Sequence, residues 1–277
     1  MRSVRLPDGE TVPQLGQGTW MIGDSRARRT EEIATLREGI DLGLTLIDTA
    51  EMYGEGASEE LVGDAIAGRR DAVFLVSKVY PSNATLSGTV TACERSLKRL
   101  KTDRLDLYLL HWRGRVPFAE TAEAMEALRS SGKIRHWGVS NLDTDDMKQL
   151  LVVPHGSAVA TNQVLYNLTR RGIEWDLVPW CKARQIPIMA YSPIEQARLL
   201  SNSGLSDLAQ TVGCSAAQLA LAWVMTQANV IAIPKTGRRE HLRDNAGALN
   251  VNVTPEIMAK LDQLFPPPKA PTSLEML

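Results

Sequence analysis

The chain has few cysteines. Only Cys93, Cys181 and Cys214 occur in 277 residues, an odd number, widely spaced and in no C-x-x-C arrangement. That excludes a disulfide framework and a thiolate metal site, and it fits free thiols in a reducing compartment. Charge of one sign is also missing. The 31 basic and 32 acidic residues leave a formal charge of −1 and a pI of about 6.5. With no basic stripe carrying interleaved aromatics, nothing recommends a nucleic-acid partner. Apolar runs are short: AAQLALAWVM at 216–225 falls below the roughly 20 residues that span a bilayer. The opening MRSVRLPDGETVPQ has no apolar core of a secretory signal, so a cytoplasmic location without a membrane partner is expected. No linker or low-complexity tract interrupts the chain, and one domain over 1–277 is the expectation.

What is present is an alternation. After a short hairpin signalled by SVRL-PDG-ETVP, apolar runs rich in branched residues are each followed by an amphipathic segment. The runs are 14–20, 44–50, 72–78, 105–112, 134–141, 159–166, 186–193 and 230–236. The helical patterns are 30–43, 58–68, 87–100, 118–132, 143–151, 174–185, 215–227 and 239–249, with extra helices at 206–212 and 254–265. Ser58 is the expected N-cap of the second helix, and Gly43, Gly68 and Gly132 the stops of three others. Eight strand–helix units in about 250 residues predict a (β/α)8 TIM barrel with an N-terminal β-hairpin and extra C-terminal helices. The ending FPPPKAPTSLEML has neither period; it is either a loop over the barrel mouth or a loose tail, and an ordered loop is the expectation of the two.

Polar residues stand where the predicted strands end: Thr19 and Trp20, Asp48, Lys78, His111, Ser140 and Asn141, Gln163, Tyr191 and Ser192, Lys235 and Thr236. In such a barrel these ends share one face, where active sites are assembled. An aspartate, a lysine and a histidine converging there, with Tyr53 in the adjoining loop, are hard to assign to packing, because Asp and Lys are rarely buried unless paired.

These residues carry a resemblance to the aldo-keto reductase family. LIDTAEMYGEGASEELVG (46–63) resembles its strand–loop–helix signature, VFLVSKV (73–79) its lysine strand and LDLYLLHW (105–112) its histidine strand. GKIRHWGVSN (132–141), NQVLYN (162–167), MAYSP (189–193) and IPKTGRREHLRDN (233–245) are similar to its cofactor segments. The likeness runs from about residue 12 to about 265, and the short loop after Trp112 and the chain's ending look more like bacterial members active on small aldehydes. It implies catalysis by Asp48, Tyr53, Lys78 and His111, with NADPH extended across the mouth and no metal. The lack of a G-x-G-x-x-G fingerprint is then no objection. Contacts to the dinucleotide are implied for Gly18, Thr19, Trp20, Ser140, Asn141, Gln163, Tyr191, Ser192, Pro193, Ile194, Ile233, Pro234, Lys235, Thr236, Arg238, His241, Asp244 and Asn245. Among these, Tyr191 would stack on the nicotinamide and Ser140, Asn141 and Gln163 would bond its carboxamide. Asp244 and Asn245 resemble the adenine pair.

Carbonyl reduction needs a hydride, which no side chain supplies, and a proton for the developing alkoxide. A tyrosine keeps its proton at neutral pH until the oxygen becomes basic. A lysine about 4 Å away, at an effective dielectric of about 20, would favour the phenolate by up to about 4 kcal/mol, or roughly 3 pKa units. Asp48, expected to hold Lys78 charged and oriented, should reduce that pull. His111 would donate to the substrate oxygen as a neutral ring, and Trp20 and Trp112 would wall an apolar pocket with Tyr53 and His111. Lys235, Thr236, Arg238, Arg239 and His241 gather at a helix start suited to the 2′-phosphate of NADPH. Histidine stands at 241 where most members carry arginine, which predicts a smaller margin over NADH. Two other readings share the residues: a cofactor-binding regulatory subunit with little turnover, and an aldolase using Lys78 as a Schiff base. A monomer is expected.

Overall fold

The computed structural model describes residues 2–277. Strands β1 (Ser3–Arg5) and β2 (Thr11–Pro13) form an antiparallel hairpin. Then follow β3 (Gln17–Gly18), α1 (Arg29–Asp41), β4 (Leu46–Asp48), α2 (Ala57–Ile66), β5 (Phe74–Val79), α3 (Leu86–Leu100), β6 (Leu105–Leu110), α4 (Phe118–Ser130), β7 (Ile134–Ser140) and α5 (Thr144–Leu151). The second half holds β8 (Asn162–Leu165), α6 (Leu177–Lys182), β9 (Ile188–Tyr191), α7 (Ser203–Val212), α8 (Ala216–Thr226), β10 (Val230–Ala232), α9 (Arg239–Gly247) and α10 (Pro255–Leu264). The eight strands β3 to β10 pair in parallel in chain order. The ring closes where Gly16 and Gly18 donate to the carbonyls of Ala232 and Pro234, each at 2.9 Å. This is the expected (β/α)8 barrel with its hairpin and extra helices.

Strand periodicity decides what faces inward. Successive side chains alternate faces, so residues two apart line the barrel interior. Leu46, Val76, Leu107, Leu109, Met189, Ile231 and Ile233 pack there with Val4, Leu6 and Val12 of the hairpin, which plugs the N-terminal end. A second, larger apolar layer joins the outer strand faces to the helices, with Leu36, Leu61, Leu97, Met125, Met147 and Trp223 among its members. Carried two residues further along the same inward rows, Leu46 leads to Asp48, Val76 to Lys78 and Leu109 to His111. The register of β4 on β5 and β5 on β6 brings the three rows side by side.

Gly43, Gly68 and Gly132 follow α1, α2 and α4 with φ of 87°, 76° and 74°, as helix stops require. Ser58 is not an N-cap. α2 begins one residue before it, behind Gly56 at φ 96°, and the Ser58 hydroxyl instead donates to Thr19 Oγ1 at 2.8 Å. No single helix among the described residues is long and apolar enough to cross a membrane.

Candidate active site

At the C-terminal mouth of the barrel lies a cavity of ≈ 680 Å³, a size typical of small-molecule and cofactor sites. Its walls include Asp48, Tyr53, His111, Trp20 and Trp112, and most of the cofactor residues inferred from sequence. Lys78 stands directly behind them, fully buried.

The centre is built around that lysine. Its Nζ donates to both carboxylate oxygens of Asp48 at 2.8 and 2.7 Å, to the carbonyl of Thr49 at 2.9 Å and to Tyr53 Oη at 3.2 Å. The three N–H groups of an ammonium are thereby all engaged. Because Tyr53 Oη accepts from Lys78, its own proton is free to point elsewhere, and the ring faces the cavity. Tyr53 reaches this place through a tight turn over 53–56, in which Gly54, Glu55 and Gly56 all have positive φ. A side chain at Gly56 would collide with Arg99, Cδ lying 2.5 Å from the Cβ position, so the turn needs glycine on two counts.

Electrostatics here differ from the pairwise expectation. Burial, and the Asp48 carboxylate beside it, hold the Tyr53 phenol well above its usual range. The expected net pull of Lys78 toward phenolate does not appear, because Asp48 clasps the ammonium from both oxygens and dehydration penalises the anion. Burial also lowers the Lys78 ammonium from its ordinary range, and the charge and hydrogen bonds of Asp48 oppose that shift. Lys78 does not itself line the cavity, so a carbonyl carbon has no approach to Nζ as a Schiff base would require. His111 behaves as anticipated: burial, with the Lys78 charge, depresses it to about 3, so the ring is neutral. Its Nδ1 is buried without a partner. A protonated Nδ1 would leave an unsatisfied donor, so the tautomer carrying hydrogen on Nε2, toward the cavity, is favoured.

Around this centre, Tyr191 Oη donates to Asn141 Oδ1 at 3.0 Å, Asn141 Nδ2 to the His111 carbonyl at 3.1 Å and Ser140 Oγ to the Gln163 carbonyl at 2.8 Å. Gln163 Nε2 donates to Asp48 Oδ1 at 2.8 Å, and its Oε1 has no hydrogen bond among the described residues. A flat amide over Tyr191 would find an acceptor in that Oε1 and further capacity in the Asn141 amide. At the far end of the cavity, Lys235, Thr236, His241, Asp244 and Asn245 line the wall. Partial burial and the neighbouring Arg28 hold the Lys235 ammonium below its usual range, a strain that an anion would relieve. The first turn of α9 has no side-chain cap, so its N–H groups also remain available. The donor set therefore fits a phosphorylated dinucleotide: amide partners at one end, cations and an open helix start at the other.

Three expected contacts fall outside the walls. Pro234 and Arg238 do not line the cavity, and Arg239 is committed to Glu31 at 3.1 Å. Asp244 lines it but also accepts from Ser215, the N-cap of α8, at 2.9 Å. Sequence reasoning missed Met21, Met52, Gln196, Ala197, Leu200, Ala217, Met276 and Leu277 as wall residues. Of these Met21 and Met52 had a signal, standing next to Trp20 and Tyr53; the rest belong to loops, a helix end and the tail. The tail is an ordered loop over the mouth, as expected.

Comparison with known proteins agrees with this geometry. The Aldo/keto reductase family model matches residues 14–265. A methylglyoxal reductase of Escherichia coli (strain K12) is 52% identical over 281 residues, covering 100% of this chain and 99% of that protein. A glyoxal reductase of Bacillus subtilis (strain 168) is 33% identical, covering 95% and 92%. The crystal structure of an aldo-keto reductase from Klebsiella pneumoniae in complex with NADPH superposes with a TM-score of 0.97 at 52% identity, covering 100% and 99% of the two chains.

Proposed function

Because this chain belongs to the aldo/keto reductase family, as its match over residues 14–265 and its 52% identical relatives show, we propose that Tyr53 is the proton donor in its NADPH-dependent carbonyl reduction and that its substrates are small uncharged aldehydes. The protein is an NADPH-dependent oxidoreductase acting on a small carbonyl compound. NADPH supplies the hydride. Everything else is done by the chain's own residues.

The observation that carries the role of Tyr53 is the 3.2 Å contact from Lys78 Nζ, itself clasped by Asp48. Lys78 occupies the phenol's acceptor side and so directs the phenolic proton into the cavity. As the alkoxide forms, that proton moves to it, and the Lys78 N–H 3.2 Å away keeps a hydrogen bond to the oxygen left behind. His111, neutral and 6.0 Å from Tyr53 between ring centroids, holds the carbonyl oxygen from the other side through Nε2. Asp48 acts on Lys78, keeping it charged and oriented. Ser140, Asn141, Gln163 and Tyr191 would hold the nicotinamide, and Lys235 with His241 the 2′-phosphate.

Substrate class follows from the walls. Trp20, Met21, Met52, Trp112, Met276 and Leu277 give the cavity an apolar lining, and the ammonium that lines it, Lys235, follows β10 rather than the segments that carry Tyr53 and His111. A carboxylate-bearing substrate would find no partner beside Tyr53. The methylglyoxal and glyoxal reductases among the relatives support the same class. A monomer built as a single barrel domain belongs to the same proposal, and the free thiols support a cytoplasmic, reducing setting.

The test follows nicotinamide absorbance with NADPH and NADH against methylglyoxal, simple aldehydes and glyoxylate. NADPH should be preferred by about tenfold or more, and methylglyoxal over glyoxylate by a similar factor, each worth about 1.4 kcal/mol. Cofactor binding without oxidation by any aldehyde would point instead to a regulatory subunit, and equal efficiency with NADH would remove the phosphate role of Lys235 and His241.

A further inference from the structure

The loop after β9 is strained in an unusual place. Glu195, Gln196 and Ala197 have φ of 52°, 54° and 69°, and none of them is glycine. Consecutive left-handed residues with side chains persist only where their surroundings over-determine them. Here the clamp is visible. Glu195 is 5% exposed and accepts from Asn167 Nδ2 at 2.7 Å and from Arg170 Nε and Nη2 at 3.1 and 2.9 Å. Arg198 adds a contact at 3.1 Å. Burial alone would raise the Glu195 carboxyl; the hydrogen bonds from Arg170, Asn167 and Arg198 outweigh it and lower it. The residues held this way, Gln196, Ala197 and Leu200, form one wall of the cavity.

The same arginine has a second commitment. Its Nη1 pairs with Glu275 in the tail, immediately before Met276 and Leu277, which also line the cavity. The Leu277 N–H also donates to Tyr191 Oη at 3.4 Å. One planar guanidinium thus bridges two carboxylates behind two lining segments: Glu195 beneath the loop that follows the cofactor segment 189–194, and Glu275 in the tail that reaches Tyr191. A guanidinium can do this because its five donors lie in a fixed fork with two faces for carboxylates.

We propose that Arg170 is a positioning residue that couples the two walls, so that dinucleotide held under the 195–200 loop and aldehyde held under the tail each favour the closed arrangement of the other. This rests on the reading of the cavity as a dinucleotide and aldehyde site. The coupling is reciprocal, as any linkage between two bound ligands must be. Arg170 touches neither ligand and does not line the cavity.

The decisive variant is Glu275→Gln, on the exposed side of the bridge. Glu275 is absent from the cavity walls, yet the substitution should raise the NADPH dissociation constant about two- to fivefold, the range expected for a half-exposed pair. It should raise the aldehyde KM by a similar factor with kcat unchanged, a split that simple loss of stability would not produce. Arg170→Met should weaken NADPH about tenfold, and adding Glu275→Gln to it should cause no further loss, since both cut one link. NADPH affinity is read by quenching of protein fluorescence without turnover. A catalytically silent protein would therefore overturn the proposed function while leaving this test intact. Unchanged NADPH affinity in Glu275→Gln, or independent multiplication of the two effects, overturns the coupling. Should Arg170→Met fail to fold, Glu275→Gln alone decides.

Discussion

The two ends of the barrel are made by the same strands and the same inward rows of side chains, yet they are finished in opposite ways. At the hairpin end the rows close on Val4, Leu6 and Val12, and the histidine found there is bonded to the hairpin side. His136 places Nδ1 3.5 Å from Asp8 and Nε2 2.7 Å from Glu10, with its ring stacked on Phe74. At the mouth the rows end in Asp48, Lys78 and His111, whose Nδ1 has no partner among the described residues and whose Nε2 is left to the cavity. The contrast separates two uses of one residue type. A histidine bonded through Nε2 to Glu10 beside the hairpin ties a plug to the barrel. One left unsatisfied and neutral beside a cavity has capacity to spend on a substrate.

This contrast can be broken from either end. The largest effect is expected at the plugged end, where Leu107→Ala removes a fully buried side chain. About 2–5 kcal/mol should be lost from stability in urea unfolding, with the aldehyde KM of the surviving folded protein unchanged. At the mouth, His111→Gln should lower kcat/KM about a hundredfold, roughly 2.7 kcal/mol, and barely move the unfolding midpoint, since no buried partner is left unpaired. A large loss of stability in His111→Gln and none in Leu107→Ala would reverse the assignment of the two ends. The smallest effect is on pH dependence. The folded chain holds His111 at about 3, below the ordinary histidine value of about 6.5, so below that value the unfolded chain binds a proton that the folded chain refuses. Stability is therefore complete above about pH 6.5 and declines as pH falls toward 3. Between pH 6.5 and 5 the decline should exceed that of His111→Gln by at most about 2 kcal/mol, measured as the difference between their urea unfolding free energies.

Much of the mouth was legible in sequence because the relevant physics is local. Period-two alternation turns LTLID into Leu46 below Asp48, and the same count places Lys78 and His111, so the chemistry could be located by counting from apolar residues. Loops offer no such period. The run Glu195–Gln196–Ala197 gives no glycine signal for its left-handed backbone; its conformation is held by Asn167 and Arg170, more than twenty residues away in the chain. Tail residues Met276 and Leu277 line the cavity through equally distant contacts. Ser58 looked like a cap because helix starts favour serine, but a tertiary hydrogen bond to Thr19 claimed its hydroxyl. The Tyr53 shift was misjudged for a related reason: a pairwise attraction to Lys78 is visible in sequence order, whereas dehydration of the phenol is a property of the packed site.

The most direct measurement is hydride transfer in Tyr53→Phe, which deletes one hydroxyl and leaves the ring, the Lys78–Asp48 pair and the cavity walls in place. NADPH should bind with near-unaltered affinity, and the rate of NADPH oxidation by methylglyoxal should fall about a thousandfold or more. Oxidation at an ordinary rate in that variant would mean that the alkoxide takes its proton from elsewhere, and the phenol aimed by Lys78 would lose its role.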